Sequence, residues 1–367
     1  AMAKPYRLLS QQMQGQGALV KVNGWVLNSK VESIKSQLYE VLGKKVVITN
    51  RDPEPNEFSS TPSDVRHSRW LRPFFSLIKQ YGIPRYNEFD PSWFFSISYV
   101  LMFGVMFGDV GHGLCLMVMA LLLYHKWPEV ASFLLPVGFS SVVFGFLYGS
   151  IFCYEHIIPA IWITPLSDPV LMLTIAFLWG VGFIVMLNLF SIYNRLVAQH
   201  VRHALLGSQG ATGLLLYLAI LWTGYQLASD DFSLVYLLMI LIPLIFIGIN
   251  KWFGSNQSHG ERLIIILIES YEMIINYLAN TISFLRLAAF SLNHVALAIT
   301  VFTLADMMDI TGYWISIILG NLFILIVEGA VVAIQTLRLE YYEGFSRFFY
   351  ADGYQFEPLT LSPKKLV

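Results

Sequence analysis

Arg286 is the residue whose type and position most directly imply chemistry. It is the only lysine or arginine between Arg262 and Arg338, in a stretch that is otherwise overwhelmingly apolar. An arginine at the centre of a membrane helix costs roughly 2.5–3.5 kcal/mol, so it is expected to face protein or water and to have a function. Because the guanidinium keeps its proton in proteins, Arg286 can act only as a fixed positive charge, either a barrier to cations or a counter-ion to a carboxylate.

The helix that carries Arg286 is predicted to have one polar face. At 100° per residue, several polar side chains fall within about 80° of Arg286: Glu272, Asn276, Ser283, Asn293 and His294. A stripe that faces lipid would not carry two ionisable groups, two amides and a hydroxyl. The alternative is a purely structural polar seam between packed helices.

A second polar seam is predicted in the next apolar segment. Asn321, Glu328 and Gln335 recur every seven residues, and Arg338 lies about 80° round from Glu328 on the same helix. A buried carboxyl is either protonated or paired, so Glu328 is difficult to explain as a surface residue. For Arg338 the simpler alternative is a side chain that reaches the membrane interface.

Together the two seams predict a path for a cation. Glu328, Glu272 and His294 can accept and release protons, and Arg286 lies between them. This arrangement describes two half-paths that an electrostatic gate separates. The chain offers no second mobile carboxylate to meet Arg286, so we expect its ionic partner on another polypeptide.

A glycine-rich motif, GDVGHG, occupies residues Gly108–Gly113. Glycine loops that hold phosphate follow a strand in a soluble βαβ unit, whereas apolar segments flank this one. The motif therefore predicts a tight turn between two helices, where glycine permits close packing. Asp109 and His112 could also line a water-filled mouth.

The composition is typical of an all-α protein that crosses the membrane several times. The 367 residues are 56% hydrophobic and 13% charged, against roughly 25% charged in soluble domains. A net charge of −1 gives no basic field for nucleic acid. The two cysteines, Cys115 and Cys153, have neither the number nor the spacing of a disulfide framework or a metal site. We expect no cofactor, no metal, no catalytic site and no signal peptide.

Hydropathy predicts eight spans. Residues 92–124 read as two short helices that join at the glycine motif, since about 20 residues cross the hydrocarbon core. The remaining predicted spans cover residues 131–153, 170–191, 211–228, 232–250, 263–305 and 312–340. The last two exceed the bilayer thickness, so we expect them to tilt strongly or to project beyond it.

The charges of the loops predict the orientation. Apart from Arg286, the basic residues after Arg85 fall in the loops on one side of the eight-span topology or at its C-terminal end. The opposite loops carry only acidic residues, namely Glu155, Asp168, Asp230, Asp231, Asp306 and Asp309. By the positive-inside rule, both the N-terminal and the C-terminal parts are cytoplasmic.

The first 90 residues differ from the rest and hold 13 of the 23 basic residues. Gly17–Leu27 alternates like a strand, Lys30–Gly43 has helical spacing, and Lys45–Thr49 reads as a second strand. We interpret residues 1–90 as a small α+β remnant, the end of a larger cytoplasmic domain and its linker. Residues 91–345 are the predicted membrane domain, and 346–367 the cytoplasmic tail.

Several of these motifs, in this order, resemble the membrane subunit of V-type and A-type rotary ATPases, called subunit a or subunit I. The segment FGVMFGDVGHG at Phe103–Gly113 is similar to the family signature FGxMFGDxGHG. SFLRLAAFSLNH at Ser283–His294 is similar to SxLRLxALSLxH. Glu328-Gly329, Leu337–Glu340 and FYADGY at Phe349–Tyr354 resemble the last helix and the tail of the family.

The resemblance implies a stator subunit that conducts H⁺ or Na⁺ and couples this flow to ATP hydrolysis or synthesis elsewhere. Arg286 would face the acidic residue of a rotating proteolipid c-ring, and Arg338 would be the second arginine. The half-channel residues would be Glu272, His294 and Glu328, with Asn293, Ser283 and Gln335 beside them. Peripheral-stalk subunits, the central-stalk socket and membrane lipid would be the other partners.

Two departures from the family pattern bear on the source of the chain and on its length. Ala288 stands where eukaryotic members carry Trp, and the outer loops are short. Both features imply a prokaryotic plasma membrane. The cytoplasmic arm of the family is several times longer than residues 1–90, so the stator-arm contacts cannot be judged from this chain.

The residues alone leave two other functions open. One is an autonomous secondary transporter or channel, with Arg286 as the counter-ion of an anionic substrate. The other is a structural scaffold whose polar seams serve only packing. Co-purification with a small acidic proteolipid would favour the rotary ATPase.

Overall fold

The computed structural model describes residues 13–16, 19–54, 57–58, 60–65, 67–152, 154, 159–199, 201–229, 233–254 and 259–358, and it is mostly helical. Cys153, Glu155, Asp230 and Asp231 lie outside the described residues. The chain forms two compact units, one of residues 1–66, 82–88 and 350–367, the other of residues 67–81 and 89–349.

The first unit combines short strands with one helix. Strand β1 (Met13–Gln16) pairs antiparallel with β2 (Leu19–Val22), and helix α1 follows at Val31–Leu42. The strand predicted at Lys45–Thr49 was wrong, because this segment is a 3₁₀ turn followed by irregular backbone. A short apolar run without a neighbouring strand has nothing to pair with, which accounts for the difference.

The C-terminal tail belongs to this first unit. Strand β4 (Tyr354–Gln355) pairs in parallel with β3 (Pro62–Ser63). The Glu88 carboxylate accepts the backbone N–H of Tyr350 at 3.0 Å. Arg85 forms an ion pair with Asp352. These contacts fasten the tail to residues 82–88.

The second unit is a set of helices in one continuous order. They are α2 (Arg72–Tyr81), α3 (Ser92–Met106), α4 (Val110–Leu123), α5 (Pro128–Tyr148), α6 (Pro169–Val197), α7 (Val201–Leu206), α8 (Ala211–Ala228), α9 (Leu234–Gly254), α10 (His259–Ser283), α11 (Arg286–Asp306), α12 (Ile310–Phe323), α13 (Gly329–Arg338) and α14 (Ser346–Phe348). Two π-helical segments, Ile324–Glu328 and Leu339–Phe345, separate the last three of these helices.

Five of the described helical stretches are long and apolar enough to cross a membrane. They are Pro128–Tyr148, Pro169–Val197, Ala204–Ala228, His259–Asp306 and Ile310–Phe348. Three shorter apolar helices accompany them, at Ser92–Met106, Val110–Leu123 and Leu234–Asn250. The chain is therefore an integral membrane protein, and the prediction that Ser92–Tyr124 forms two short helices is confirmed.

The last two long stretches contain 48 and 39 residues, about twice the number that one crossing needs. Neither is a regular helix throughout. The first breaks at Phe284-Leu285, and the π-helical segments interrupt the second. The sequence predicted their length but not these interruptions.

Local sequence explains where the helices begin. The Asp109 carboxylate caps α4 by accepting the N–H of His112 at 2.8 Å, and Asp168 caps α6 by accepting the N–H of Leu171 at 3.0 Å. Pro128 and Pro169 stand in the first turns of α5 and α6, where proline lacks no hydrogen bond.

Small residues let α4 and α5 approach closely. A Cβ atom added to Gly113 would lie 2.8 Å from the carbonyl oxygen of Gly138, and one added to Gly138 would lie 2.9 Å from that of Gly113. Association between membrane helices depends on such close van der Waals packing. The glycine motif is thus a helix-to-helix turn, as its composition predicted, and it fixes Asp109 and His112 in the interior.

Candidate functional site

A break in the longest helical stretch places Arg286 at the start of α11. The N–H groups of Phe284 and Leu285 bond three residues back, to Thr281 and Ile282, rather than four. The Phe284 side chain is fully buried, and a Cβ atom on Gly180 would lie 2.6 Å from its own Cβ. The rotation of 100° per residue therefore does not continue through this point, and residues on either side of it face different neighbours.

Arg286 lies between charges of both signs. Its side chain is half-buried, and the Nη1 atom is buried without a hydrogen-bond partner in the described part of the chain. It interacts electrostatically with Glu343 and with Arg338. Arg338 itself is exposed. The structure thus brings the two predicted arginines within electrostatic range of each other.

Glu343 is a site residue that the sequence analysis missed. It is only 5% exposed and lies in the π-helical segment Leu339–Phe345. Its carboxyl forms a hydrogen bond with Ser283 and interacts with Arg286 and Arg338. The predicted span ended at residue 340, so Glu343 was counted with the tail.

His294 and Glu328 form a direct pair in the interior. His294 Nδ1 lies 2.8 Å from Glu328 Oε2, and both side chains are less than 5% exposed. The Asn293 amide donates to Glu328 Oε1 at 3.4 Å. Residues taken from two separate predicted seams therefore meet, and a histidine beside a carboxyl can pass a proton.

The glycine motif adds Asp109 and His112 to this region. The rings of His112 and His294 are 5.7 Å apart, and His112 Nδ1 lies 3.2 Å from Asp109 Oδ1. Asp109 also accepts a hydrogen bond from the Ser150 hydroxyl at 2.6 Å and one from the Phe152 N–H at 3.0 Å. The predicted mouth is thus a buried cluster in which donors surround the carboxylate.

These three side chains are also close enough together to hold a metal ion. One ligand atom from each of Asp109, His112 and His294 lies within 4.8 Å of the others. The sequence predicted no metal ligands. Since the motif residues and His294 are far apart in the chain, spacing alone gave no signal for this group.

A small cavity adjoins His294. Its accessible volume is about 10 Å³, close to what one water molecule needs. The lining residues are Met106, Gly108, Tyr148, Ser150, Pro165, Ser291, His294 and Val295. Water can therefore reach the neighbourhood of the His294–Glu328 pair through only a narrow space.

The remaining predicted residues lie apart from this pair. Glu272 is exposed on α10, on the far side of Arg286 in the sequence. Gln335 is half-buried on α13, and Ser283 is half-buried beside Glu343. The predicted polar face is thus divided into one group near Glu343 and another near Glu328.

Two further buried charges were missed. Glu340 is 1% exposed and accepts the Ser98 hydroxyl at 2.5 Å. The Arg347 guanidinium is 8% exposed and lies 4.5 Å from the centre of the Tyr277 ring. Both occur after residue 339, in the part of the helix that hydropathy did not assign to a span.

Comparison with known proteins agrees with these motifs. Residues 4–156 and 250–361 match the model of the V-type ATPase 116kDa subunit family. The A-type ATP synthase subunit I of Thermococcus kodakarensis is 26% identical over 92% of this chain and 53% of that protein. The protein of the same name from Methanocaldococcus jannaschii is 25% identical over 92% of this chain and 54% of its own length.

A bacterial relative matches a shorter region. The V-type ATP synthase subunit I 2 of Treponema pallidum is 32% identical over 36% of this chain and 32% of its own length. The chain spans about half the length of the archaeal relatives. Because the family model matches well over half of its residues, the chain belongs to the V-type ATPase 116kDa subunit family.

Proposed function

We propose that this chain is the stator-side ion-translocating subunit of a V/A-type rotary ATPase. Family membership and relatives named ATP synthase subunit I support this role. The observation that carries the proposal is the position of Arg286. It is a half-buried arginine at a helix break, with a buried Nη1 atom that no described group of the chain bonds. Such an atom suits a carboxylate that another subunit brings.

The ion path has two halves that Arg286 separates. His294, Glu328 and Asn293 line one half, where the Nδ1–Oε2 distance of 2.8 Å suits proton exchange. Glu272, Ser283 and Gln335 line the other half. Because a fixed positive charge repels cations, an ion must leave one half on a moving ring carboxylate and enter the other after rotation.

The partners follow from this mechanism. A proteolipid ring with one acidic residue per subunit faces Arg286 and Arg338, while peripheral-stalk and central-stalk socket subunits hold the stator. The chain has no catalytic site of its own and couples H⁺ or Na⁺ flow to distant ATP chemistry. The ring site selects between the two ions.

The three shorter apolar helices complete eight spans with the five long ones. Residues 1–90 and 346–367 are cytoplasmic, and 91–345 form the membrane domain of a prokaryotic plasma membrane protein. The acidic loop residue Asp168 and the basic residue Arg195, at opposite ends of α6, support this orientation.

The test is ATP-driven ion pumping by the assembled complex in liposomes. We expect Arg286→Ala and Arg286→Lys to abolish coupled transport while assembly survives, and Glu328→Gln to slow it. Arg202→Gln is the control, since Arg202 is an exposed arginine that bonds Asn250 outside the site. Pumping by the Arg286→Ala complex at the rate of the control would overturn the proposal.

A further inference from the structure

Glu343 is a buried acidic residue that the ion path described above does not use. It is 5% exposed, and its Oε2 atom has no hydrogen-bond partner within the described residues. A carboxyl buried in this way is costly unless hydrogen bonds or opposite charges compensate it. Its surroundings show which groups do so.

Two elements bring those groups together. The last turn of α10 supplies Ser283, which forms a hydrogen bond with the Glu343 carboxyl. Three residues later, after the helix break, Arg286 interacts electrostatically with the same carboxyl. Arg338, on the preceding turns of the other helix, is the third partner.

The two arginines would repel each other without this carboxyl. Each disfavours the charge of the other, and Glu343 is the acidic group that offsets both. Like charges that lie close together in a partly desolvated site cost several kcal/mol at an effective dielectric constant of about 20. A negative charge beside them therefore determines where the two guanidinium groups rest.

We propose that Glu343 is a positioning residue, the counter-ion within the chain that holds Arg286 and Arg338 side by side between encounters with the ring carboxylate. The inference rests on the function proposed above. Ser283 fixes the Glu343 carboxyl, and the carboxyl orients Arg286. Because Arg286 Nη1 stays unbonded within the described chain, it remains available to the incoming carboxylate.

The matched control for Glu343 is Glu340. Both residues are buried glutamates of the same π-helical segment, but Glu340 bonds Ser98 rather than the arginine pair. Glutamine at either position keeps the size of the side chain and removes the charge. A general effect of altering this segment would slow both variants equally.

The experiment measures ion pumping per assembled complex in liposomes. We expect Glu343→Gln to lower the rate at least about tenfold, as loss of one partner of a buried ion pair implies. Glu340→Gln should stay within about twofold of wild type, since a neutral amide oxygen still accepts the Ser98 hydroxyl. Glu343→Asp should recover part of the rate.

Moving the charge separates positioning from packing. In the double variant Ser283→Asp/Glu343→Ser, the carboxylate and the hydroxyl exchange places beside Arg286. We expect this variant to pump several-fold faster than Glu343→Gln, although it alters more atoms. A purely structural role for Glu343 predicts the opposite order.

Three outcomes would overturn the inference: a wild-type rate for Glu343→Gln, equal losses for Glu343→Gln and Glu340→Gln, or no recovery in the exchanged variant. Failure of the proposed function is distinguishable from these. It would appear as pumping by Arg286→Ala, whatever the Glu343 variants do.

Discussion

Asp109 offers a direct test of whether the glycine motif serves structure or ion transfer. Its Oδ1 atom accepts the N–H groups of His112 at 2.8 Å and of Phe152 at 3.0 Å, while Oδ2 accepts the Ser150 hydroxyl at 2.6 Å. The carboxylate thus caps α4 and ties it to the segment after α5. This geometry predicts very different outcomes for the substitutions Asp109→Ala and Asp109→Asn.

The alanine variant loses all of these bonds. Loss of an N-cap costs about 1 kcal/mol, and each buried donor left without a partner costs about 1–3 kcal/mol. Ser150 is buried, whereas the Phe152 side chain is exposed, so the second loss is expected at the lower end. The sum is roughly 3–5 kcal/mol, which implies a fall in Tm of roughly 5 °C or more.

The asparagine variant keeps most of the bonds. Its single carbonyl oxygen can take the place of Oδ1 and accept both N–H groups, and its amide can donate to the Ser150 oxygen. We therefore expect a loss of about 1 kcal/mol or less. Asp168→Ala is the matched control, because Asp168 caps α6 through one exposed hydrogen bond to Leu171 and should cost about 1 kcal/mol.

The assay is thermal unfolding of the purified protein in detergent, together with ion pumping by the assembled complex. We expect Asp109→Asn to remain stable and to pump, and Asp109→Ala to unfold early. Equal destabilisation by the two substitutions would refute the hydrogen-bond argument. A stable Asp109→Asn complex that does not pump would show that the charge itself moves ions.

Two further predictions concern packing and pH. Gly145→Ala should markedly destabilise the protein, because its Cβ would press on the backbone of Asp109 and Val110, whereas Gly182→Ala, with open space, should not; equal Tm values would contradict this packing. Burial raises the pKa of the Glu88 carboxyl from 4.5 to about 7. The unfolded chain ionises first, so the stability that Glu88 contributes is full below pH 4.5 and falls as the pH rises to about 7. Glu88→Gln should flatten this part of the curve of Tm against pH, and an unchanged slope would disprove the assignment.

The parts of the fold that depend on composition were predictable. Long apolar runs marked the spans, and the glycine motif marked the turn between α3 and α4. His294 and Glu328 were also identified, since an ionisable side chain at membrane depth stands out in any apolar sequence. Their direct contact was not predictable, because it depends on how two helices pack rather than on the period of either one.

Glu343 was missed for a related reason. The predicted span ended at residue 340, where tyrosines and charged residues lower the hydropathy, but the helical stretch continues to Phe348. The predicted polar face of α10 and α11 also assumed one uninterrupted helix. The turn at Phe284-Leu285 changes the phase, so Ser283 faces Glu343 while His294 faces Glu328.

The π-helical segments explain how one apolar helix buries every glutamate it carries. Residues 310–348 contain Glu328, Glu340 and Glu343, and each is at most 5% exposed. All three lie in Ile324–Glu328 or Leu339–Phe345. A wider turn re-aims the side chains that follow it, so carboxyls that a regular period would spread around the helix face protein instead of lipid. Since π-bulges occur frequently at functional sites, restoring regular helix by deleting one residue from either segment should impair transport more than deleting one from the exposed end of α12.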